Sequence, residues 1–267
     1  GFIGHERDTQ HTIGCALIAG QGDGMQRDGW YSTALSHLEL EDPAVIGRKA
    51  AERTLSRLQP RSLATGEHRV LFSAEVARSL VGHLLGAVSG GALYRKASFL
   101  LDHVGQRIFP DWFAIEELPL LPHGLRSAAF DAEGVATKRS HLIRDGVLER
   151  YVLGSYSARK LGLQTTGNAG GVHNLQVKAN AGGFDDLLAG MRTGLLVTEL
   201  MGQGVNYVTG DYSRGASGYW VENGEIAYPV HEITIAGNLK DMFQGVEAVG
   251  ADAYNFGAKT VGSILIN

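Results

Sequence analysis

Cysteine is nearly absent: Cys15 is the one thiol in a chain of 267 residues. A single thiol closes no internal disulfide and builds no all-cysteine zinc site, which removes the disulfide scaffold and the zinc ribbon from consideration. Cys15 lies in the apolar run "TIGCALIAG", where a buried strand thiol is expected, and this usage fits a reducing cytoplasm. Apolar runs are short as well, none approaching the ~20 residues of a membrane-spanning helix, so no membrane role is expected. Nor is there an excess of one charge. Lys and Arg number 24 against 28 Asp and Glu, a net charge of -4, and a mixed surface without a basic block argues against direct, sequence-independent nucleic-acid binding. The chain opens on Gly-Phe-Ile without an initiator methionine; an upstream segment is expected, and the N-terminus leaves targeting open.

Several catalytic signatures are missing too. The nearest histidines, His5 and His11, stand six apart, so there is no H-x-H or H-E-x-x-H pair. In "HERDTQH" the two rings would face roughly opposite sides of a helix at about 100° per residue. No G-x-S-x-G elbow occurs, and "RGASG" and "GDYSRG" leave Ser213 and Ser217 as loop hydroxyls. "GNAGG" and "MGQG" match neither the P-loop nor the dinucleotide fingerprint and read as turns. The adjacent carboxylates Glu116-Glu117 and Asp185-Asp186 point in different directions and suit solvated faces or caps.

Glycine, by contrast, is plentiful: its 37 residues are about twice the average share of roughly 7%. They fall between alternating apolar segments without a fixed period, the pattern of many tight turns between strands. One or two strands are expected up to about Asp28, ending in "GQGDG". "PAVIGRKAAERTLSRL" then carries an early proline and an apolar face of Val45, Ile46, Ala50, Thr54, Leu55 and Leu58, which predicts an amphipathic helix. The polar "RSLATGEH" places a domain boundary that divides 1–66 from 67–267.

Beyond it, "RVLFSAEVARSLVGHLLGAVSG" predicts a short strand and then a helix capped by Ser73, with Glu75 in its first turn. Val76, Leu80, Leu84 and Val88 form its apolar stripe. His83 interrupts this apolar helix, and three readings stand: a metal ligand, the remnant of one, or a core histidine with a partner. Asp145-Gly146 and Asn223-Gly224 each predict a type I′ hairpin. Between them lie a short helix at "SARKLG", a strand at "HNLQVKA", a helix over 185–191 and the strand "GLLVTEL". Hairpin-joined strands with several helices predict an α+β protein whose C-terminal domain is a largely antiparallel or barrel-like sheet. The richest polar stretch, residues 198–225, reads as a glycine-punctuated loop holding Glu199, Gln203, Asn206, Asp211, Tyr212, Arg214 and Trp220. It is either a binding surface or a connection held by its own bonds, such as Asp211 with Arg214.

The segments "SYSARKLGLQTTGNAGG", "TELMGQGVNYVTGDYSRGASGYWVENGEIAYPV", "EITIAGNLKDM" and "YRKASFLLDHVGQRIFPDW" strongly resemble the PmbA (TldE) branch of the TldD/PmbA family, once called modulators of DNA gyrase. Residues 1–66 resemble the end of that family's N-terminal domain. The resemblance implies one half of a heteromeric metalloprotease acting on unfolded peptides, as in peptide-antibiotic maturation or antitoxin turnover. In the TldD branch an H-E-x-x-x-H helix holds zinc. Aligned on Val-Gly-His, this chain has Arg78 at the first histidine, Ser79 at the glutamate and His83 at the second histidine, and no cysteine in its C-terminal half for the family's further ligand. The resemblance therefore implies an accessory, non-catalytic subunit with no metal of its own, zinc being expected in a TldD-type partner, with homo-oligomerisation possible when that partner is missing. On this view residues 198–225 line the chamber or the interface. Two alternatives stand beside it: a binding protein that modulates gyrase or another partner without proteolysis, and an independent hydrolase using Asp211, Tyr212 or Glu199.

Overall fold

In the computed structural model, which describes residues 2–255 and 257–267, Asp42 starts the first helix. Its Oδ1 accepts the N–H groups of Ala44 (2.8 Å) and Val45 (3.4 Å), and Pro43 follows at the first helical position, where an N–H would have no partner. This helix, α1 (Pro43–Ser56), buries Ile46, Ala50 and Thr54 over a hairpin of β1 (His11–Ala19) and β2 (Gln26–Ala34). Trp30 packs with Ile46 and Ala50 at the centre of that small core. Cys15 on β1 is half-buried rather than enclosed, because a two-stranded hairpin with one covering helix encloses little.

The remaining elements are β3 (Val70–Phe72), α2 (Ala74–Ala87), α3 (Gly90–Tyr94), β4 (Ile115–Glu117), β5 (Ser140–Arg144), β6 (Val147–Leu148), α4 (Ser155–Leu161), β7 (Leu175–Val177), α5 (Phe184–Met191) and β8 (Gly194–Met201). Then come β9 (Asp211–Glu222), β10 (Glu225–Asn238), α6 (Leu239–Gln244), β11 (Val246–Val249), β12 (Tyr254–Asn255), β13 (Lys259–Val261) and β14 (Ile264–Ile266). Two six-stranded sheets result, in the orders β10-β9-β8-β3-β14-β11 and β12-β13-β7-β4-β5-β6. Among the described strands only β3–β8 and β7–β13 pair in parallel, so the protein is α+β with antiparallel-rich sheets. Among the described residues neither sheet closes into a barrel.

Helix α2 lies between the two sheets. Its Leu80 and Leu84 join one cluster with Phe72, Val197 and Ile264 from the first sheet and Ile115, Ile143 and Leu175 from the second. The opposite face of the first sheet presents Leu71, Leu196, Val221 and Leu265 to Leu187, Leu188 and Met191 of α5, as the two-residue alternation of a strand requires. Ser73 does not cap α2 with its side chain; the N–H groups of Val76 and Ala77 reach its backbone oxygen instead (2.8 and 2.7 Å), and its hydroxyl is buried without a partner.

Both hairpin turns form at residues with positive φ, Asp145 (50°) with Gly146 (75°) and Asn223 (53°) with Gly224 (81°), the geometry of the type I′ turn. The segment after the second turn is one 14-residue strand with a bulge between Val230 and Ile233. Residues 198–225 are not a loop. The stretch is the end of β8, a short connection and all of β9, paired along its length. Glu117 also departs from the expected solvated face: it is 2% exposed and bonds Arg150, Asn168 Nδ2 (2.8 Å) and the His173 N–H (2.6 Å). Burial works against its charge, but the His173 bonds and the Arg150 guanidinium hold its carboxyl below the usual range. This cluster fastens the "TTGNAGG" segment to β4.

The N-terminal unit is joined to the first sheet through Arg57. Its guanidinium meets Asp28 (3.2 Å), Glu199 of β8 and Ser217 Oγ of β9 (2.7 Å), while Ser56 Oγ lies 2.6 Å from the Tyr219 hydroxyl. Arg57→Met would leave Glu199 without its counter-charge and Asp28 with Arg53 alone, an expected loss of about 3 kcal/mol. A lowered urea midpoint is the expected result, and Arg53→Met, at the more exposed Asp28–Glu75 bridge, should cost about 1 kcal/mol.

Candidate functional site

Enclosure between two sheets makes α2 apolar on most sides, which isolates the stripe that is not. Arg78, Ser79, Gly82, His83 and Gly86 recur at helical spacing along one side. The glycines matter for what lies over them. A Cβ on Gly86 would come within 2.7 Å of the Tyr207 ring, and one on Gly82 within 3.1 Å of Lys259 Nζ. Their absence of side chain lets Tyr207 and the β13 lysine lie against the helix on either side of His83.

His83 is the partnered histidine of the three readings, in part. Its Nδ1 stands 3.1 Å from the Tyr207 hydroxyl, and its ring meets Tyr212 edge to face at 5.7 Å. Its Nε2 is buried with no hydrogen-bond partner. Burial, then Arg214 of β9 and Lys259, push the imidazole down to about 4, so it is neutral at physiological pH. Burial also raises both phenols, Tyr212 to about 12; both stay protonated. A phenol that donates to Nδ1 assigns the ring proton to Nε2.

The cations around this imidazole are fixed from different elements. Arg78 donates to the Tyr31 hydroxyl of β2 at 3.0 Å, and Arg214 Nε donates to the Met201 carbonyl at 3.3 Å. Lys259 is pushed down by burial and by Arg78. A catalytic zinc requires three protein ligands and an open position, whereas this stripe has one imidazole and three cations. Among the described residues no three of His, Cys, Asp and Glu stand close enough together to hold a metal. The side chains present do not fit zinc.

The polar residues of 198–225 do not converge on this stripe. Tyr212 and Arg214 face α2, but Glu199 lies on the opposite face of the sheet, bonded to Arg57 and to Ser217 (3.1 Å). There it borders a groove of about 390 Å³ between the β1–β2 hairpin and β8–β10, lined also by Met25, Arg27, Met201 and His231. Asp211 does not pair with Arg214; it accepts from Thr209 Oγ1 (2.5 Å) and Asn238 Nδ2 (3.2 Å). Asn206 Oδ1 takes the Val208 N–H at 2.9 Å, Gln203 is exposed on the turn, and Trp220 packs on His68 and donates to Glu222. Lys259 and Arg57 had no signal in the sequence, since strand pairing and helix docking from afar bring them into place.

The class defined by this geometry is an α+β domain built round an enclosed helix, carrying a small hairpin-and-helix unit. Residues 65–267 match the PmbA/TldA metallopeptidase C-terminal domain and residues 1–58 the PmbA/TldA metallopeptidase central domain. The chain is 52% identical over 258 residues to metalloprotease PmbA of Escherichia coli O157:H7, covering 97% of this chain and 57% of that protein. It is 47% identical to the Haemophilus influenzae PmbA homolog, covering 100% and 59%. A Bacteroides thetaiotaomicron structure named for modulation of DNA gyrase superposes with a TM-score of 0.95 at 30% identity, covering 100% of this chain and 61% of the other. The chain belongs to the PmbA/TldD family, and it spans about three fifths of the length of these relatives. No helix among the described residues is long and apolar enough to cross a membrane.

The depressed His83 sets a pH dependence. Between its ordinary value of 6.5 and about 4 the unfolded chain binds more protons than the folded one, so stability from this group is complete above about 6.5 and is lost as pH falls towards 4. Urea midpoints at pH 7.5 and pH 4.5 should therefore fall further apart in the wild type than in His83→Gln. Equal differences in the two proteins would show that His83 titrates normally in the fold.

Proposed function

We propose that this chain is the accessory, non-catalytic half of a heteromeric TldD/TldE-type metalloprotease. The observation that carries the proposal is the stripe of α2. At the positions where the TldD branch presents two histidines and a glutamate, this chain places Arg78, Ser79 and a neutral His83 tied to Tyr207, with Lys259 alongside. Zinc and the general base then come from a TldD-type partner. This chain contributes a rigid wall to the chamber in which unfolded peptides are cut, in the cytoplasm, for peptide maturation or antitoxin turnover.

Residues of 198–225 serve that wall in two ways. Arg214 and Tyr212 present polar groups towards the α2 stripe, and Glu199 fixes the groove on the other face through Arg57. A groove of about 390 Å³ is within the range that holds small ligands or a short peptide segment. An independent hydrolase finds no support, since Glu199, Asp211 and Tyr212 are committed to separate surroundings. The gyrase-modulator name of two structural relatives favours one further reading, a docking protein that acts without proteolysis.

The test is zinc content and cleavage of an unstructured peptide by the full-length protein, alone and mixed with a TldD-type partner. Stoichiometric zinc and cleavage only in the mixture are expected. Chelator-sensitive cleavage by this protein alone would contradict the proposal, and recovery of gyrase from a pull-down lacking any TldD-type protein would favour the docking reading.

A further inference from the structure

The α2 stripe rejects a metal but is not chemically neutral. Lys259 and Arg214 stand close to one imidazole and Arg78 close to Lys259, and Lys259 and Arg214 form no ion pair with a carboxylate among the described residues. Like charges held together in a half-buried place repel one another, and the repulsion is largest where solvent screens least. Surface lysines elsewhere in the chain do not face this situation: Lys49, for example, meets Glu41 at 2.5 Å.

A second, independent observation concerns buried polar atoms on the same helix and the neighbouring strand. His83 Nε2, Ser79 Oγ and the Tyr212 hydroxyl are each buried without a hydrogen-bond partner, and Tyr212 is 1% exposed. Buried polar groups are satisfied in the great majority of cases, and each orphan costs free energy until an acceptor or donor reaches it. The phenol is held protonated and donates, the serine hydroxyl can donate, and Nε2 donates in the tautomer in which Nδ1 accepts from the Tyr207 hydroxyl. Cations and unpaired donors on and beside one side of α2 call for the same thing, a compact acceptor with negative charge.

We propose that the stripe of α2 formed by Arg78, Ser79 and His83, with Lys259 of β13 and Arg214 and Tyr212 of β9, binds a carboxylate group of a peptide. The carboxylate is the chain end or an acidic side chain of the peptide held in the chamber. The assignment of a peptide as the bearer rests on the function proposed above; the site itself does not. A position that holds a cation in the catalytic branch has become a position for an anion, through exchange of ligands for positive side chains on an unchanged helix. A carboxylate there would neutralise the mutual repulsion of Arg78 and Lys259 and form charge-assisted bonds, which are about twice as strong as neutral ones.

The experiment measures binding to the full-length protein without any partner, using three probes: N-acetyl-Ala-Ala-Leu with a free carboxylate, its C-terminal amide, and N-acetyl-Ala-Glu-Leu amide. Stronger binding of the first than of the amide assigns the chain end, and stronger binding of the third assigns the acidic side chain. Lys259→Met should weaken the preferred probe by roughly tenfold or more, the worth of one charge-assisted bond. The same variant should have a urea midpoint equal to or above wild type, because it removes a buried like charge. Equal binding of all three probes, absence of binding by all, or wild-type affinity in Lys259→Met would overturn the site. These results are separable from the function test: a chain that activates a TldD-type partner yet shows no carboxylate preference loses the site and keeps its accessory role.

Discussion

Enclosure of α2 between two sheets is the constraint on which the rest of the structure depends. A helix covered on both sides has few positions where a polar group can stand, and the sequence spends nearly all of them on apolar residues, with Val76, Leu80, Leu84 and Ala87 buried. The one stripe left polar is therefore held to fine tolerances by its surroundings. Gly82 and Gly86 admit Lys259 and Tyr207 to contact distance, and larger residues at either place would push those groups off the helix. The same enclosure explains the neutral imidazole. His83 sits where water is scarce and positive charge is near, and both effects act in one direction.

On the proposed reading, this geometry stands where the TldD branch carries an H-E-x-x-x-H helix. The fold can keep its helix and sheets while the chemistry of a handful of side chains is exchanged, because scaffold and site draw on different residues. The apolar stripe builds the core, and the polar stripe stands apart from it. On the proposed reading, exchange of a metal set would leave the core intact, and such a subunit would still shape a chamber. Arg57 extends the same logic to the hairpin unit, which it ties to β8 and β9 on the far face of the first sheet.

Local signals in the sequence were legible where the structure is local. The Asp-Gly and Asn-Gly turns, the Asp42–Pro43 start of α1 and the four-residue stripe of α2 each depend on neighbours within a few positions, and each is found in the fold. Residues 198–225 misled because glycines that mark turns elsewhere sit inside β9 here, where close strands need them: a Cβ on Gly218 would meet the Leu196 carbonyl oxygen at 1.9 Å. Glu117 misled for a related reason, since its partners Arg150, Asn168 and His173 come from 33 to 56 residues away. At the site, Arg78, Ser79 and His83 are visible through the family resemblance. Lys259 is not, because parallel pairing of β13 with β7 brings it to α2.

That the α2 stripe repels cations and keeps His83 neutral is tested most directly by a nitrogen-15 NMR titration of the His83 imidazole in the full-length protein, with and without one equivalent of zinc. The expected result is a neutral ring carrying its proton on Nε2 throughout the range from pH 8 down to about pH 5, and signals that zinc does not move. A midpoint near 6.5, or a zinc-dependent shift confined to His83, would mean that the position remains a metal ligand and that the cations around it do not govern its chemistry.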